Sequence, residues 1–357
     1  MSQPDACDFR TSAQTVSGAA SCSGRLFSFG VISDIQYADI ENGFSFKKVP
    51  RYYRAALPAL QRAVQAWKDE EVCFAMHFGD IIDGYHPKDQ SMAALDAITA
   101  AFDELGKPHW HMIGNHCLYN LPREVLNARL NMGGPGGASY YSFTPHPAWR
   151  IVVLDGYDVS LLGWPQDHPL HQQACRILDE RNPNQEKNSP EGMEGPERRF
   201  VKFGGGASDV QLGWLRQTLA AAAAEGQRVI LCCHLALHPD TCPGACLLWN
   251  YQEVLEACWQ AGNVVATFSG HAHEDGYAVD QHGVHHRVLS AVVETAPGRD
   301  CFGIISVFPD RLELQGYDRL ASATMQFPAR QKQADKENVE QPQLACSFAS
   351  QPRVLTA

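Results

Sequence analysis

The sequence predicts an α/β fold whose strands deliver polar loops to one edge. Two observations predict it: short apolar runs alternate with helical stretches, and successive runs end on Asp, Asn, Gln or His. A third, a series of hairpin-like strands after Gly270, predicts a second sheet.

The elements follow in order. Residues 26–33 form a β-rich run ending in Asp34, followed by a polar loop and a helical stretch over 52–68. Residues 72–78 repeat the pattern, ending in Gly79-Asp80 ahead of a helix over about 91–105. Residues 110–113 end in Gly114-Asn115-His116. Further strands are expected at 150–154, 228–233 and Val264–Ser269, the last two running into His234 and Gly270-His271. In layered α/β proteins the carboxyl ends of strands form the crevice where ligands sit, so loops distant in sequence converge there. Residues 277–280, 285–293, 303–308 and 312–317 read as the hairpin-like set.

Residues 1–24 read as a loose leader, 25–327 as one catalytic domain and 328–357 as a flexible tail. Within the domain, residues 156–206 lack a steady period, carry five prolines and close on Gly204-Gly-Gly206. Such a stretch is either a lid or binding loop or a solvated insertion.

Composition bounds the function. With 45% hydrophobic and 19% charged residues the chain can bury a sizeable core. The formal charge of -11 argues against a broad footprint for nucleic acid or an anionic membrane, so a small anionic substrate needs local cations such as metals. No stretch approaches the ~20 apolar residues of a membrane-spanning helix, and no signal-like apolar run precedes Leu26. The 12 scattered cysteines read as reduced thiols of a cytoplasmic protein, expected to be a monomer. Cys242 and Cys246 have no second cysteine pair at zinc-finger spacing.

Singly, each polar block has an ordinary reading. Asp34-Ile-Gln36 suits a turn, Gly79-Asp80 a helix cap, and Gly114-Asn115-His116 a loop needing positive φ. Together, five strand ends deliver Asp34 and Gln36, Asp80 and Asp83, Asn115 and His116, His234, and His271 and His273. These residue types ligate divalent metals. Two ions need one bridging carboxylate and neutral donors around it, with room left for water and a phosphate oxygen. In an extended segment His271 and His273, at i and i+2, point the same way and reach two neighbouring ions.

The blocks Asp34-Ile-Gln36, Gly79-Asp80-Ile-Ile-Asp83, Gly114-Asn115-His116, His234 and Gly270-His271-Ala-His273 stand in the order of the calcineurin-like metallophosphoesterase superfamily, which residues 25–325 resemble. Gln36 departs from the histidine usual there. Together with residues 30–37, Arg51-Tyr-Tyr-Arg54 and Asn182-Pro-Asn184, it makes the chain similar to the manganese-dependent ADP-ribose/CDP-alcohol diphosphatase family.

That resemblance implies a four-layer α/β/β/α sandwich with two central mixed sheets and two divalent ions, Mn²⁺ first, with Mg²⁺, Zn²⁺ or Fe as alternatives. Asp34, Gln36, His273 and Asp80 would hold one ion. Asn115, His234, His271 and Asp80 would hold the other, with Asp80 as bridge. His116, oriented by Asp83, would protonate the leaving oxygen or face the phosphate as a cation. The implied substrates are nucleoside diphosphate-linked molecules: ADP-ribose would give AMP and ribose 5-phosphate, and CDP-choline would give CMP and phosphocholine. A cyclic-nucleotide phosphodiesterase or phosphomonoesterase shares the motifs, and a non-catalytic scaffold would be expected to lose ligands.

For the substrate pocket, Phe46, Cys246 and Trp249 are candidates to line the nucleoside or alcohol side, with Leu247 and Leu248 read as core. Arg51 and Arg54 are candidates for the distal phosphate or ribose. His77, His282, His285 and His286 read as structural or surface residues, and His238 is left open between a structural place and one beside the ions.

Overall fold

The computed structural model describes residues 24–328, so the leader and tail expected from the sequence lie almost wholly outside the described residues. The chain runs β1 (Phe27–Ile32), a small hairpin of β2 (Gly43–Phe44) and β3 (Pro50–Arg51), α1 (Ala56–Asp69), β4 (Phe74–His77), α2 (Ser91–Asp103), β5 (His109–His111), α3 (Asn115–Asn120) and α4 (Arg123–Arg129). It continues through β6 (Tyr141–His146), β7 (Trp149–Val153), α5 (Pro169–Arg181), α6 (Asp209–Ala224), β8 (Arg228–Cys232), α7 (Tyr251–Ala261) and β9 (Val264–Ser269). Five strands close it: β10 (Gly276–Val279), β11 (His285–Val288), β12 (Phe302–Val307), β13 (Arg311–Gly316) and β14 (Ala323–Gln326).

Two six-stranded mixed sheets result, ordered β14-β13-β12-β1-β4-β5 and β10-β11-β9-β8-β7-β6. β1, β4 and β5 are parallel in the first; β7, β8, β9 and β11 are parallel in the second. All six residues of β1 are buried, as a strand covered on both faces requires. The sheets face each other through aromatic contacts: Phe27 against Trp149, Phe74 against Phe143, and Trp110 stacked on Phe143 at 4.2 Å. Helices cover the outer faces. α1 buries Ala56, Ala59, Leu60, Ala63, Val64 and Trp67, a stripe at helical spacing that packs on the first sheet. α6 and α7 pack on the second.

The late strands correct the sequence reading. They do not form a sheet of their own: β12, β13 and β14 extend the first sheet beside β1, while β10 and β11 extend the second beside β9. A hairpin pattern tells which strands pair, not which open edge receives them. The expected strand over 285–293 stops at Val288. Residues 289–293 are buried but leave the sheet to brace the loops after β1 and β9, with Ala291 N donating to His273 O, Val292 N to Ser33 O and Val293 N to Asp34 O. The irregular 156–206 stretch contains α5 and has its own cluster of Val159, Ala174, Leu178, Met193 and Phe200 packed with Trp249. Asn182 and Asn184 staple it, their amides donating to Phe200 O and Ser189 O.

Eight cysteines are free among the described residues, in line with reduced thiols. Cys73 is the exception, being disulfide-bonded.

Candidate metal centre

The parallel strands β1, β4 and β5 of one sheet and β8 and β9 of the other end together, and their loops carry the five polar blocks. Asp34, Gln36, Asp80 and His234 are essentially inaccessible, and Asn115 and His273 are buried. On one side, Gln36 Nε2 lies 2.9 Å from His273 Nε2 and donates to Asp80 Oδ2 at 3.3 Å, while His273 Nε2 is 3.4 Å from Asp34 Oδ1. On the other, donor atoms of Asp80, His234 and His271 lie within 4.8 Å of one another. Asp80 belongs to both groups. Asn115 begins α3, its Oδ1 accepting from Tyr157 Oη at 3.1 Å, and the Tyr157 ring lies 6.0 Å from that of His234.

Local backbone explains how short loops gather so many donors. Asp34, Gln36, Asp80, His271 and His273 all have φ between 42° and 66°. Non-glycine residues seldom adopt this region, and each such residue costs on the order of 1–3 kcal/mol unless its surroundings hold it. His271 and His273 are therefore not presented by strand alternation, as the i and i+2 spacing suggested. Two left-handed residues flank Ala272, whose N–H donates to Gly270 O at 2.7 Å. One glycine is required by the same geometry: Gly79 has φ 94°, and a Cβ there would stand 2.2 Å from His234 Nδ1.

The donor set fits divalent cations. Asp34 Oδ1 and Gln36 Oε1 on one side and His234 Nε2 on the other are buried without a hydrogen-bond partner, a cost that a cation at each group would remove. Carboxylate, amide oxygen and imidazole are the mixture that Mn²⁺ or a similar ion takes. Without a cation the groups compensate one another. Burial raises the Asp34 carboxyl, but its contact with His273 and the charges of His273 and His234 together override it and hold the group at about 2. Asp80 is likewise buried, yet His234 and His116 hold it well below the usual carboxylate range. Burial opposes charge on His273, and Asp34 and Glu294 nevertheless push it up to about 9. His234 is also raised, by Asp80 against its burial, whereas burial takes His271 down to about 3.

A supporting layer orients these groups, and the sequence reading missed it. Glu294 Oε1 lies 2.8 Å from His273 Nδ1, and Arg319 in turn bonds Glu294 and the His273 carbonyl. His234 Nδ1 lies 2.6 Å from Phe78 O, which fixes the ring so that Nε2 faces Asp80. Carboxylate or carbonyl partners of this kind set the tautomer of a ligating imidazole. Glu294 was discoverable only as an acidic residue inside an apolar run.

His116 sits at the rim, its backbone N–H donating to Asp80 Oδ1 at 2.8 Å. Its Nδ1 accepts from Gly84 N at 2.8 Å and lies 3.2 Å from Asp83 Oδ2. A nitrogen that accepts from a backbone N–H carries no proton, so the ring is the Nε2–H tautomer and presents a donor on its other edge. Asp83 therefore does not fix the ring by accepting its proton; it accepts instead from Arg51 Nη1 and Tyr85 N.

The expected pocket residues separate. Arg51 reaches the centre through Asp83. Arg54 points away into exposed pairs with Asp39 and Glu41. Phe46, between β2 and β3, is 86% exposed. Cys246 is half-buried, and burial pushes its thiol up to about 12, leaving a neutral thiol within electrostatic reach of Lys47, Asp34 and Glu274. Leu247 and Leu248 are core, as read, and Trp249 packs in the cluster under α5, where it also lines a cavity with Ile177, Arg181 and Arg199. His238 stacks on His286 at 4.6 Å and accepts from Asp240 N, a structural place. Phe203, which the sequence did not single out, brings its ring 5.8 Å from that of His271.

Comparisons with known proteins agree with this geometry. Residues 27–275 match the model of the calcineurin-like phosphoesterase family. An Oryza sativa subsp. japonica protein named manganese-dependent ADP-ribose/CDP-alcohol diphosphatase is 51% identical over 85% of this chain and 94% of its own length. A Homo sapiens protein of the same name is 40% identical over 85% of this chain and 94% of its length. Among solved structures, a dimetal phosphatase from Danio rerio superposes with a TM-score of 0.82 at 35% identity, covering 85% of this chain and all of that one.

Proposed function

This chain belongs to the calcineurin-like phosphoesterase family, and from that premise we propose that it is a manganese-dependent hydrolase of the diphosphate bond in ADP-ribose and CDP-alcohols. The observation that carries the reading is the shared Asp80 between two donor groups that differ in one respect from a histidine-rich pair: an amide, Gln36, stands on one side. The names of the relatives supply the metal and the substrate class.

Asp34, Gln36, His273 and Asp80 would hold one ion, and Asn115, His234, His271 and Asp80 the other. When bound, two divalent ions supply Lewis acidity toward phosphoryl oxygens and a water nucleophile near neutral pH. The chain's own groups do the rest. His116 offers its Nε2–H to the oxygen that leaves phosphorus, and Gly84 N–H keeps that proton on Nε2. Arg51 neutralises Asp83 beside it, so that an unpaired carboxylate does not repel the incoming diphosphate. Glu294 and the Phe78 carbonyl hold the His273 and His234 rings in place. Cleavage of an anhydride releases a phosphate monoester, a far better leaving group than an alkoxide. One catalytic domain, residues 25–327, carries this activity, with the 156–206 stretch and Phe203 walling the substrate side and Phe46 and Cys246 near the nucleoside or alcohol moiety.

The substrates are small molecules, because the net charge of -11 opposes polyanions outside the immediate reach of the ions. No helix among the described residues is long and apolar enough to cross a membrane. A cytoplasmic place rests on eight of the nine described cysteines being free, with the disulfide-bonded Cys73 standing against it, and the protein is taken to act as a monomer.

Product identification with the Mn²⁺-loaded protein tests the reading. Equal amounts of AMP and ribose 5-phosphate from ADP-ribose, and CMP with phosphocholine from CDP-choline, are expected. Inorganic phosphate released directly from ADP-ribose, faster turnover of 3′,5′-cyclic nucleotides, or no turnover at all would each overturn it.

A further inference from the structure

A second group of histidines lies apart from this centre, on β4 and the edge strand β5 of the first sheet. His109 and His111, two apart on β5, share one face. His109 Nδ1 and His111 Nε2 are 2.8 Å apart. On the far side of the His109 ring, Nε2 lies 3.1 Å from Asp103 Oδ1, at the end of α2. Phe102 packs against both rings, at 5.5 and 5.0 Å. His77 pairs with His111 across the strands, its ring 5.7 Å away. His111 Nδ1 and both nitrogens of His77 are buried without a hydrogen-bond partner. The mechanism uses none of these groups.

We propose that His109 and His111 form a transition-metal site, separate from the binuclear centre, that takes Zn²⁺, Ni²⁺ or Cu²⁺ and not Mn²⁺. Metal–imidazole bonds of about 2.0–2.1 Å put two neighbouring ligand nitrogens roughly 2.9–3.3 Å apart, so the pair needs to open only slightly to admit an ion. A carboxylate behind the coordinating ring is the usual outer partner of a metal-bound histidine, and Asp103 stands there. The protons also balance. With Asp103 accepting from His109 Nε2–H, the bond between the rings is His111 Nε2–H donating to His109 Nδ1. An ion entering between the nitrogens displaces that one proton, and His111 Nδ1, which lacks a partner, takes it up. Both rings stay neutral and no other group changes its charge.

The site offers two protein nitrogens, and water completes the shell from the solvent side, where the His109 side chain is 20% exposed. Two imidazoles without a carboxylate ligand discriminate against Mn²⁺, the weakest binder of the first-row series, and favour the later metals. The Mn²⁺-loaded enzyme therefore keeps this pair vacant.

Anomalous diffraction at the nickel edge from crystals of the Mn²⁺-loaded full chain equilibrated with Ni²⁺, alongside calorimetric Ni²⁺ titration, tests the proposal. The expected result is a nickel peak between His109 Nδ1 and His111 Nε2. In solution, one Ni²⁺ site per chain should disappear in His109→Gln while Mn²⁺ content and Mn²⁺-dependent turnover stay at wild-type level. Asp103→Asn should weaken Ni²⁺ binding by about tenfold or more without abolishing it, and it stands in if His109→Gln fails to fold. No nickel density at this pair, or unchanged Ni²⁺ binding in folded His109→Gln or Asp103→Asn protein, would overturn it.

Discussion

On the proposed reading, Gln36 is the residue on which the metal preference of this centre turns. Its buried amide lies between Asp80 and His273, with Oε1 unpartnered. An amide oxygen is a harder and weaker donor than imidazole, which suits Mn²⁺. Gln36→His should raise affinity most for zinc-like ions, reduce the dependence on added Mn²⁺ and change the ratio of ADP-ribose to CDP-alcohol turnover. Metal titrations and substrate ratios matching wild type in folded protein would remove Gln36 from the ligand set. Protons provide a second residue-scale prediction. His273, held at about 9 by Asp34 and Glu294, is a cation at neutral pH before metal binds, and a ligating nitrogen must be unprotonated. Mn²⁺ affinity should thus rise about tenfold per pH unit below that value and level off above it, with His234 adding an effect of the same sign. Affinity that is flat across neutral pH contradicts this. The ligand candidates were legible in the sequence because they sit in five short blocks; Glu294 and Tyr157 were not, since each gains its role only by meeting a residue 21 or 42 positions away.

At the scale of elements, the strand ends do more than carry residues. They hold five site side chains at positive φ, and this strain persists because the braces from residues 289–293 and the loop contacts over-determine the backbone. Gly79→Ala places a methyl group 2.2 Å from the His234 ring at a φ that alanine resists. It should lower stability by about 2 kcal/mol or more and weaken Mn²⁺ binding, measured by thermal unfolding with and without the metal. Wild-type unfolding and affinity would show that the ring moves aside freely. Elements with clean periodicity, such as α1, α2 and β9, fall where the sequence placed them. β6 did not declare itself, because Pro145 and a register shift interrupt an edge strand. The i and i+2 reading of His271 and His273 assumed extended backbone, whereas both residues are left-handed, a conformation that leaves no trace in side-chain spacing.

For the whole molecule, the sandwich exists to bring the carboxyl ends of two sheets to one line, so that donors from β1, β4 and β5 meet donors from β8 and β9. The alternation of strands and helices made the α/β class readable, while the destination of β10 to β14 depended on which sheet edge lay open. On the proposed reading, one carboxylate, Asp80, joins the two halves into a single binuclear centre. Bound manganese per chain, measured on purified wild type, Asp80→Ala and Asn115→Ala, tests it most directly. Two ions in wild type, severe loss of both together with activity in Asp80→Ala, and loss chiefly of one in Asn115→Ala are the predicted result. Folded Asp80→Ala protein that keeps wild-type manganese and turnover would contradict it.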